Sequence, residues 1–205
     1  VQGDAPMGGI MRRHWLPVCL SEEVAEKDGA PVKSRLVGED LVVFRDSNGK
    51  LGVLSEYCPH RGASLVFGRN EQCGLRCLYH GWKFDVDGNI LEMAAEPDGA
   101  ALMKSLKQKS FPVREAGGFV WAWLGPKEEM REFEPPAWAP VPGIKYAIVK
   151  MHASCNWAQV LEGSIDSAHS SSLHSSDIVP GRVGATSPGG RTGKMFVRPS
   201  TDRAP

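Results

Sequence analysis

The sequence predicts an α+β protein: a small antiparallel β domain followed by the start of a second, α+β domain. Three observations predict it. Between Val32 and Leu124, short β-rich runs alternate with turn signals, the pattern of a small antiparallel domain. The run "GPKEEMREFEPPAWAPVPG" is dense in proline and charge and marks a boundary. Beyond it, "NWAQVLEGSIDSAH" switches to the apolar spacing of a helix.

The elements follow in order. The first residues are polar and Gly-rich and suggest no element. "MRRHWLPVCL" predicts a strand or extended entry. "SEEVAEKDGA" predicts a short turn of helix, with Ser21 as N-cap and Gly29 as stop. "KSRLVGEDLVVFRD", "KLGVLSE", "LRCLYHGWKFDVDGNI" and "KSFPVREAGGFVWAWLG" supply the strands, with "DSNGK" and "DVDGN" as hairpin turns. "IKYAIVKMHASCNW" predicts a new strand, and Trp157, Val160, Leu161, Ile165 and Ala168 line one helical face. The expected domains are 10–126, a linker 127–143, and 144–205 as the N-terminal part of a second domain.

Composition excludes several classes. Lys plus Arg equals Asp plus Glu at 24 each, so nothing in the charge calls for nucleic acid or an acidic membrane surface. No apolar run approaches the roughly 18 residues of a membrane span. No basic stretch followed by an apolar one marks a signal peptide at the N-terminus. Five Cys, an odd number at uneven spacing, argue against a disulfide framework and for a reduced, cytoplasmic setting with some Cys as metal ligands. The absence of Met at position 1 and the bare ending "STDRAP" lead us to expect part of a longer protein.

Two fragments carry the chemistry. "EYCPHRGASL" places Cys58 and His60 two apart, and "CLYHGW" places Cys77 and His80 three apart, with sixteen residues between the pairs. Each pair sits in one tight loop. Pro59 stiffens the first, and Gly62 and Gly81 let the backbone bend around a bulky centre. Thiolate and imidazole suit zinc or an iron–sulfur cluster. Zinc sites typically pair Cys with Cys, about two to four residues apart, and His with His. Here both halves are mixed, as in a Rieske centre, where two Cys hold one iron and two His the other. Cys73 could compete in a zinc site, but is a buried or edge thiol in the Rieske reading.

The second constellation is "EGSIDSAHSSSLHSSD", with Asp166, His169 and His174 in a D-x-x-H-x-x-x-x-H pattern. Two His close in sequence plus a carboxylate elsewhere would make a facial triad for non-haem Fe(II). On a regular helix His169 lies about 60° from Asp166, and His174 about 140° from His169. Both imidazoles reach one metal only if the helix bends or ends between them, which Ser170, Ser171 and Ser172 permit. The plainer reading is three polar groups on an amphipathic helix. His152 is expected in a strand packed beneath that helix. Trp82, Trp121, Trp123 and Trp157 are expected in the core or at an interface.

Together these motifs resemble the α subunit of Rieske non-haem iron aromatic-ring-hydroxylating oxygenases. The match runs from about Arg12 to Pro126 for the cluster domain, and through Asn156, Trp157, Glu162, Asp166, His169 and His174 beyond it. "MRRHWLPVCL", "FPVREAGGFVWAWLGP" and "LEGSIDSAHSSSLHSSD" place the chain nearest the phthalate dioxygenase and vanillate demethylase branch. The resemblance implies a [2Fe–2S] cluster on Cys58, His60, Cys77 and His80, and a mononuclear Fe(II) on His169 and His174 in a helix-grip-like catalytic domain. Asp166 would bridge the iron-bound His of one subunit to His80 or His60 of its neighbour, in a trimer or hexamer. Electrons would come from NAD(P)H through a flavin and iron–sulfur reductase. With O₂, an aromatic carboxylate such as phthalate would become a cis-dihydrodiol. An aryl-ether O-demethylase of the same branch and a Rieske ferredoxin-like electron carrier are the alternatives. The family's third iron ligand is a carboxylate far beyond the two His, and neither Asp177 nor Asp202 falls in its place.

Overall fold

The computed structural model describes residues 1–96, 99–137 and 147–166. It divides into two compact units, 1–150 and 151–205. The first unit contains three antiparallel sheets. Strands β1 (Trp15–Leu20), β9 (Val113–Ala116) and β10 (Phe119–Trp123) form one, with β10 central. Strands β2 (Val32–Leu36), β3 (Glu39–Arg45) and β4 (Leu51–Ser55) form the second, and β5 (Arg69–Glu71), β6 (Gly74–Arg76), β7 (Trp82–Phe84) and β8 (Ile90–Met93) the third.

Strand β3 explains how the sheets share a core. Side chains alternate along a strand, and here both faces are fully buried. Leu41 and Val43 join Val18, Val53, Phe111, Val120 and Ala122 in one cluster. Val42 and Phe44 join Leu54, Leu65, Leu75, Trp82 and Phe84 in the other. Cys58 and Cys77 belong to this second cluster, so both Cys/His loops rest on a packed floor. The turns behave as their residues predict. Asp46 accepts from the Asn48 and Lys50 amides, and Asp85 does the same for Asp87 and Asn89. Gly88 has φ +83°, and a Cβ there would meet the Gln108 carbonyl oxygen at 2.1 Å.

Several elements differ from expectation. A helix α1 (Pro6–Arg12) stands where the Gly-rich text suggested none. It starts on a proline and is tied down by Arg12 Nη2 donating to the Val37 carbonyl at 2.6 Å, support that no local propensity reveals. Residues Ser21–Val24 make a single 3-10 turn, and its cap is not Ser21. The Glu23 carboxylate accepts from the Leu20 amide instead, at 2.8 Å, leaving the buried Ser21 hydroxyl unpartnered. No strand forms in residues 147–156; a strand needs a ladder partner, and none pairs with it among the described residues. His152 is exposed there rather than packed in a strand.

The proline-rich run after β10 is fastened at its start. Arg13 pairs with Glu129. Trp15 Nε1 donates to the Arg131 carbonyl at 2.9 Å. Phe133 meets Trp15 edge-on, with ring centroids 5.2 Å apart.

Helix α2 (Gly99–Ser105) follows β8 in the first unit; in the second, helix α3 (Trp157–Ile165) forms as its periodicity predicts as far as Ile165. Asn156 is its N-cap, with Oδ1 accepting from the Ala158 amide at 2.9 Å. The helix stops one residue before Asp166, which is extended at φ −68° and ψ 101°. Asp166 is thus the C-cap and not part of the helix, and His169, expected on the same face, lies outside the described residues. Trp157 is 41% exposed, so it is no core residue of this unit. No helix among the described residues is long and apolar enough to cross a membrane.

Candidate metal centre

The two ligand loops, one between β4 and β5 and the other between β6 and β7, close by the same hydrogen bonds. The Cys58 amide donates to the Ala63 carbonyl and the Gly62 amide to the Cys58 carbonyl, both at 2.9 Å. The Cys77 amide donates to the Trp82 carbonyl at 2.8 Å and the Gly81 amide to the Cys77 carbonyl at 3.1 Å. In both loops the glycine lies four residues after the cysteine. Gly62 (φ +69°) and Gly81 (φ +74°) take the left-handed conformation that other residues resist. Nothing lies within 4 Å of a Cβ built on Gly62, so its role is conformational and not spatial.

The loops bring four donors together. Cys58 and Cys77 are buried, at 3% and 2% exposure. The His60 and His80 rings meet edge to face, with centroids 4.5 Å apart. Trp82 lies flat against His60, and Tyr79 covers His80 at 3.9 Å. Burial pushes the Cys58 thiol up to about 11, and the adjacent Cys77 adds to the shift. A metal must then draw out the proton to bind a thiolate there.

The donor set fits a [2Fe–2S] cluster. The Nδ1 atom of His60 is buried and has no hydrogen-bond partner, a cost that a metal bond would remove. It accompanies two buried thiols on loops of matching geometry. The Nε1 atom of Trp82 is buried and unpartnered beside them. Cys73 lies apart, in the β5–β6 turn at φ +61°, where its sulfur accepts from Asn48 Nδ2 at 3.1 Å. It is an edge thiol.

Other residues hold these loops, and the motifs alone do not reveal them. Arg76 donates from Nη1 to the Gly81 carbonyl at 3.0 Å, and its other nitrogens reach Glu71 and Glu92. Lys83, almost fully buried, also pairs with Glu92. Gln108 Nε2 donates to the Ser55 and Tyr57 carbonyls at 2.7 and 3.0 Å, bracing the entry to the first loop. Glu56 accepts from the Ser64 hydroxyl at 2.7 Å and pairs with Lys33 across the same loop. Polar side chains flanking a Cys/His motif were the only available signal, and it did not say which partner each would find. Asp166 is described, at the end of α3 in the second unit, whereas His169 and His174 lie outside the described residues.

Paired Cys/His loops on a three-sheet antiparallel domain define a Rieske-type cluster domain. Residues 14–112 match the Rieske [2Fe–2S] domain, and residues 122–205 match the family described as LigXa C-terminal domain like. This sets aside the zinc reading of the four ligands.

The chain is 61% identical over its whole length to the phthalate 4,5-dioxygenase oxygenase subunit of Pseudomonas putida, covering 46% of that protein. It is 44% identical over 86% of its length to the oxygenase subunit of the tert-butanol monooxygenase / tert-amyl alcohol desaturase of Aquincola tertiaricarbonis, covering 37% of it. Over 82% of its length it is 39% identical to the 5,5'-dehydrodivanillate O-demethylase oxygenase subunit of Sphingobium sp. (strain NBRC 103272 / SYK-6), covering 40% of it. Among solved structures, dicamba monooxygenase bound to dicamba matches 62% of this chain and 39% of its own, with a TM-score of 0.53 at 30% identity. The chain thus spans less than half the length of these curated relatives.

Proposed function

We propose that this chain is the electron-receiving part of an oxygenase component that hydroxylates an aromatic carboxylate, with cis-dihydroxylation of phthalate as the reaction. The observation that carries the reading is the pair of matching loops with two buried thiols and an inward, unpartnered imidazole nitrogen. The full-length similarity to a phthalate 4,5-dioxygenase oxygenase subunit supports the substrate class. The domain layout is 10–126 for the cluster domain, 127–143 for the linker, and 144–205 for the first part of the catalytic domain.

In this reading Cys58, His60, Cys77 and His80 hold the [2Fe–2S] cluster, and His169 and His174 supply two imidazoles to a mononuclear Fe(II). When bound, the cluster supplies one-electron transfer and the mononuclear iron supplies O₂ activation. The chain's residues do the rest. Two neutral imidazoles in place of thiolates leave the site less negative, and so readier to accept an electron. The floor of Leu65, Leu75, Trp82 and Phe84 excludes water from the thiol side. Asp166 would accept from a ligand imidazole and hold its ring and tautomer, bridging to His80 or His60 of a neighbouring subunit in a trimer or hexamer. The electron donor is an NAD(P)H-dependent flavin and iron–sulfur reductase.

The O-demethylase relative favours a second reading, monooxygenation of an aryl methyl ether. One experiment separates the two. The full-length protein, purified anaerobically, is assayed for iron and sulfide and by low-temperature EPR, then turned over with reductase, NADH and phthalate. About three irons to two sulfides per chain, a Rieske-type signal and a cis-dihydrodiol are expected. Formaldehyde from a methoxybenzoate, with phthalate untouched, would establish the demethylase. Electron transfer that continues in His169→Ala together with product formation would refute the oxygenase roles assigned here.

A further inference from the structure

We propose that Glu96 tunes the cluster electrostatically, placing a negative charge beside the outer nitrogen of His60 and lowering the reduction potential of the centre. The inference rests on the cluster assignment above.

Three observations define the His60 ring. Its Nδ1 faces inward, buried and unpartnered. Trp82 fixes its plane, with ring centroids 4.8 Å apart and planes within 4° of parallel. Its Nε2 faces outward, 3.6 Å from Glu96 Oε1. At that distance the carboxylate is an electrostatic neighbour and not a hydrogen-bond acceptor. The Glu96 backbone is pinned: its amide donates to the Met93 carbonyl, and its carbonyl accepts from the Gly99 amide, both at 3.1 Å. The carboxylate is thus anchored at the end of β8, beside the ring.

Among the described residues, no Lys or Arg pairs with Glu96. Glu71 and Glu92 on the same sheet are paired with Arg76 and Lys83. Among the described residues, the ion-pair neighbour of Glu96 is His60 alone. The Glu96 side chain is 30% exposed, so solvent screens the charge only in part. Reduction adds one electron to the centre. A fixed negative charge beside a ligand opposes that gain and favours the oxidised state. Within one chain, no carboxylate pairs with His80 among the described residues.

The test is the midpoint potential of the full-length, cluster-loaded protein, measured by spectroelectrochemistry at fixed pH and ionic strength, with EPR to verify the cluster. Glu96→Gln keeps the shape and removes the charge, and is expected to shift the potential upward at full iron and sulfide content. Glu96→Asp keeps the charge and is expected to stay near the parent value. Glu22→Gln, an exposed acid elsewhere, leaves it unchanged. A full cluster at the parent potential in Glu96→Gln overturns the proposal. If Glu96→Gln loses its cluster, Glu96→Asp decides: restored loading supports the role of the charge, and failed loading overturns it. A parent protein without a Rieske-type signal would instead overturn the cluster assignment, and the proposal with it.

Discussion

The indole of Trp82 lies flat on the imidazole of His60, 4.8 Å between centroids and 4° from parallel. Trp82 ends the second ligand loop and His60 belongs to the first, so the contact locks one loop against the other. Trp82 is 4% exposed. Trp82→Ala should cost about 3–5 kcal/mol, read as a lower unfolding midpoint, and should reduce iron content. Trp82→Phe keeps a flat ring at that position and should retain most of the iron.

Arg76 governs the acid limit of stability. The Arg76 guanidinium hydrogen-bonds both the Glu71 and Glu92 carboxylates and holds their pKa values below the usual range, with Lys83 assisting at Glu92. Depressed carboxylates contribute stability that is complete above their unfolded pKa, about 4.3. That stability is lost as pH falls through the lower folded value. Thermal midpoints should therefore drop as pH falls below about 4. Arg76→Met should be less stable at pH 7 and should show a shallower acid limb. Equal slopes for the two proteins would contradict this account.

Gln108 connects the approach to β9 with the first ligand loop. Gln108→Ala removes the donor shared by the Ser55 and Tyr57 carbonyls at a partly buried place. The expected loss is about 1–3 kcal/mol by chemical denaturation. Faster loss of iron to a chelator should accompany it, because the entry to the Cys58 loop loosens.

Phe133 straps the start of the linker onto the β1–β10 sheet through Trp15 and Trp121. Phe133→Ala should lose about 1–2 kcal/mol of local packing. The clearer readout is limited trypsin digestion, with cleavage after Arg131 accelerated relative to the parent. An unchanged cleavage rate would mean that the strap does not hold this segment.

Residues whose structure depends on their own neighbours were legible in the sequence. The "DSNGK" and "DVDGN" turns form because their Asp and Gly residues satisfy the turn locally. Helix α3 follows its apolar spacing as far as Ile165. Gly62 and Gly81 bend the backbone where the motif needs it. Residues that depend on distant partners were not legible. Helix α1 is held by a contact from Arg12 to Val37. Ser21 lost the cap to Glu23. The expected strand before Trp157 has no partner among the described residues.

The sequence by itself pointed to Cys58, His60, Cys77 and His80 as candidate donors, paired within two loops, and determined the glycine that closes each loop, because spacing and backbone freedom are local properties. It also carried the Asp166, His169 and His174 pattern, the latter two beyond the described residues. Only the tertiary structure decided that the loops, sixteen residues apart, face each other over a shared apolar floor. It alone decided that Arg76 and Gln108 brace those loops, and that Glu96 faces the outer nitrogen of His60. The reason is physical: a strand's side-chain alternation is set residue by residue, whereas the partner across a sheet is chosen by the packing of the whole domain.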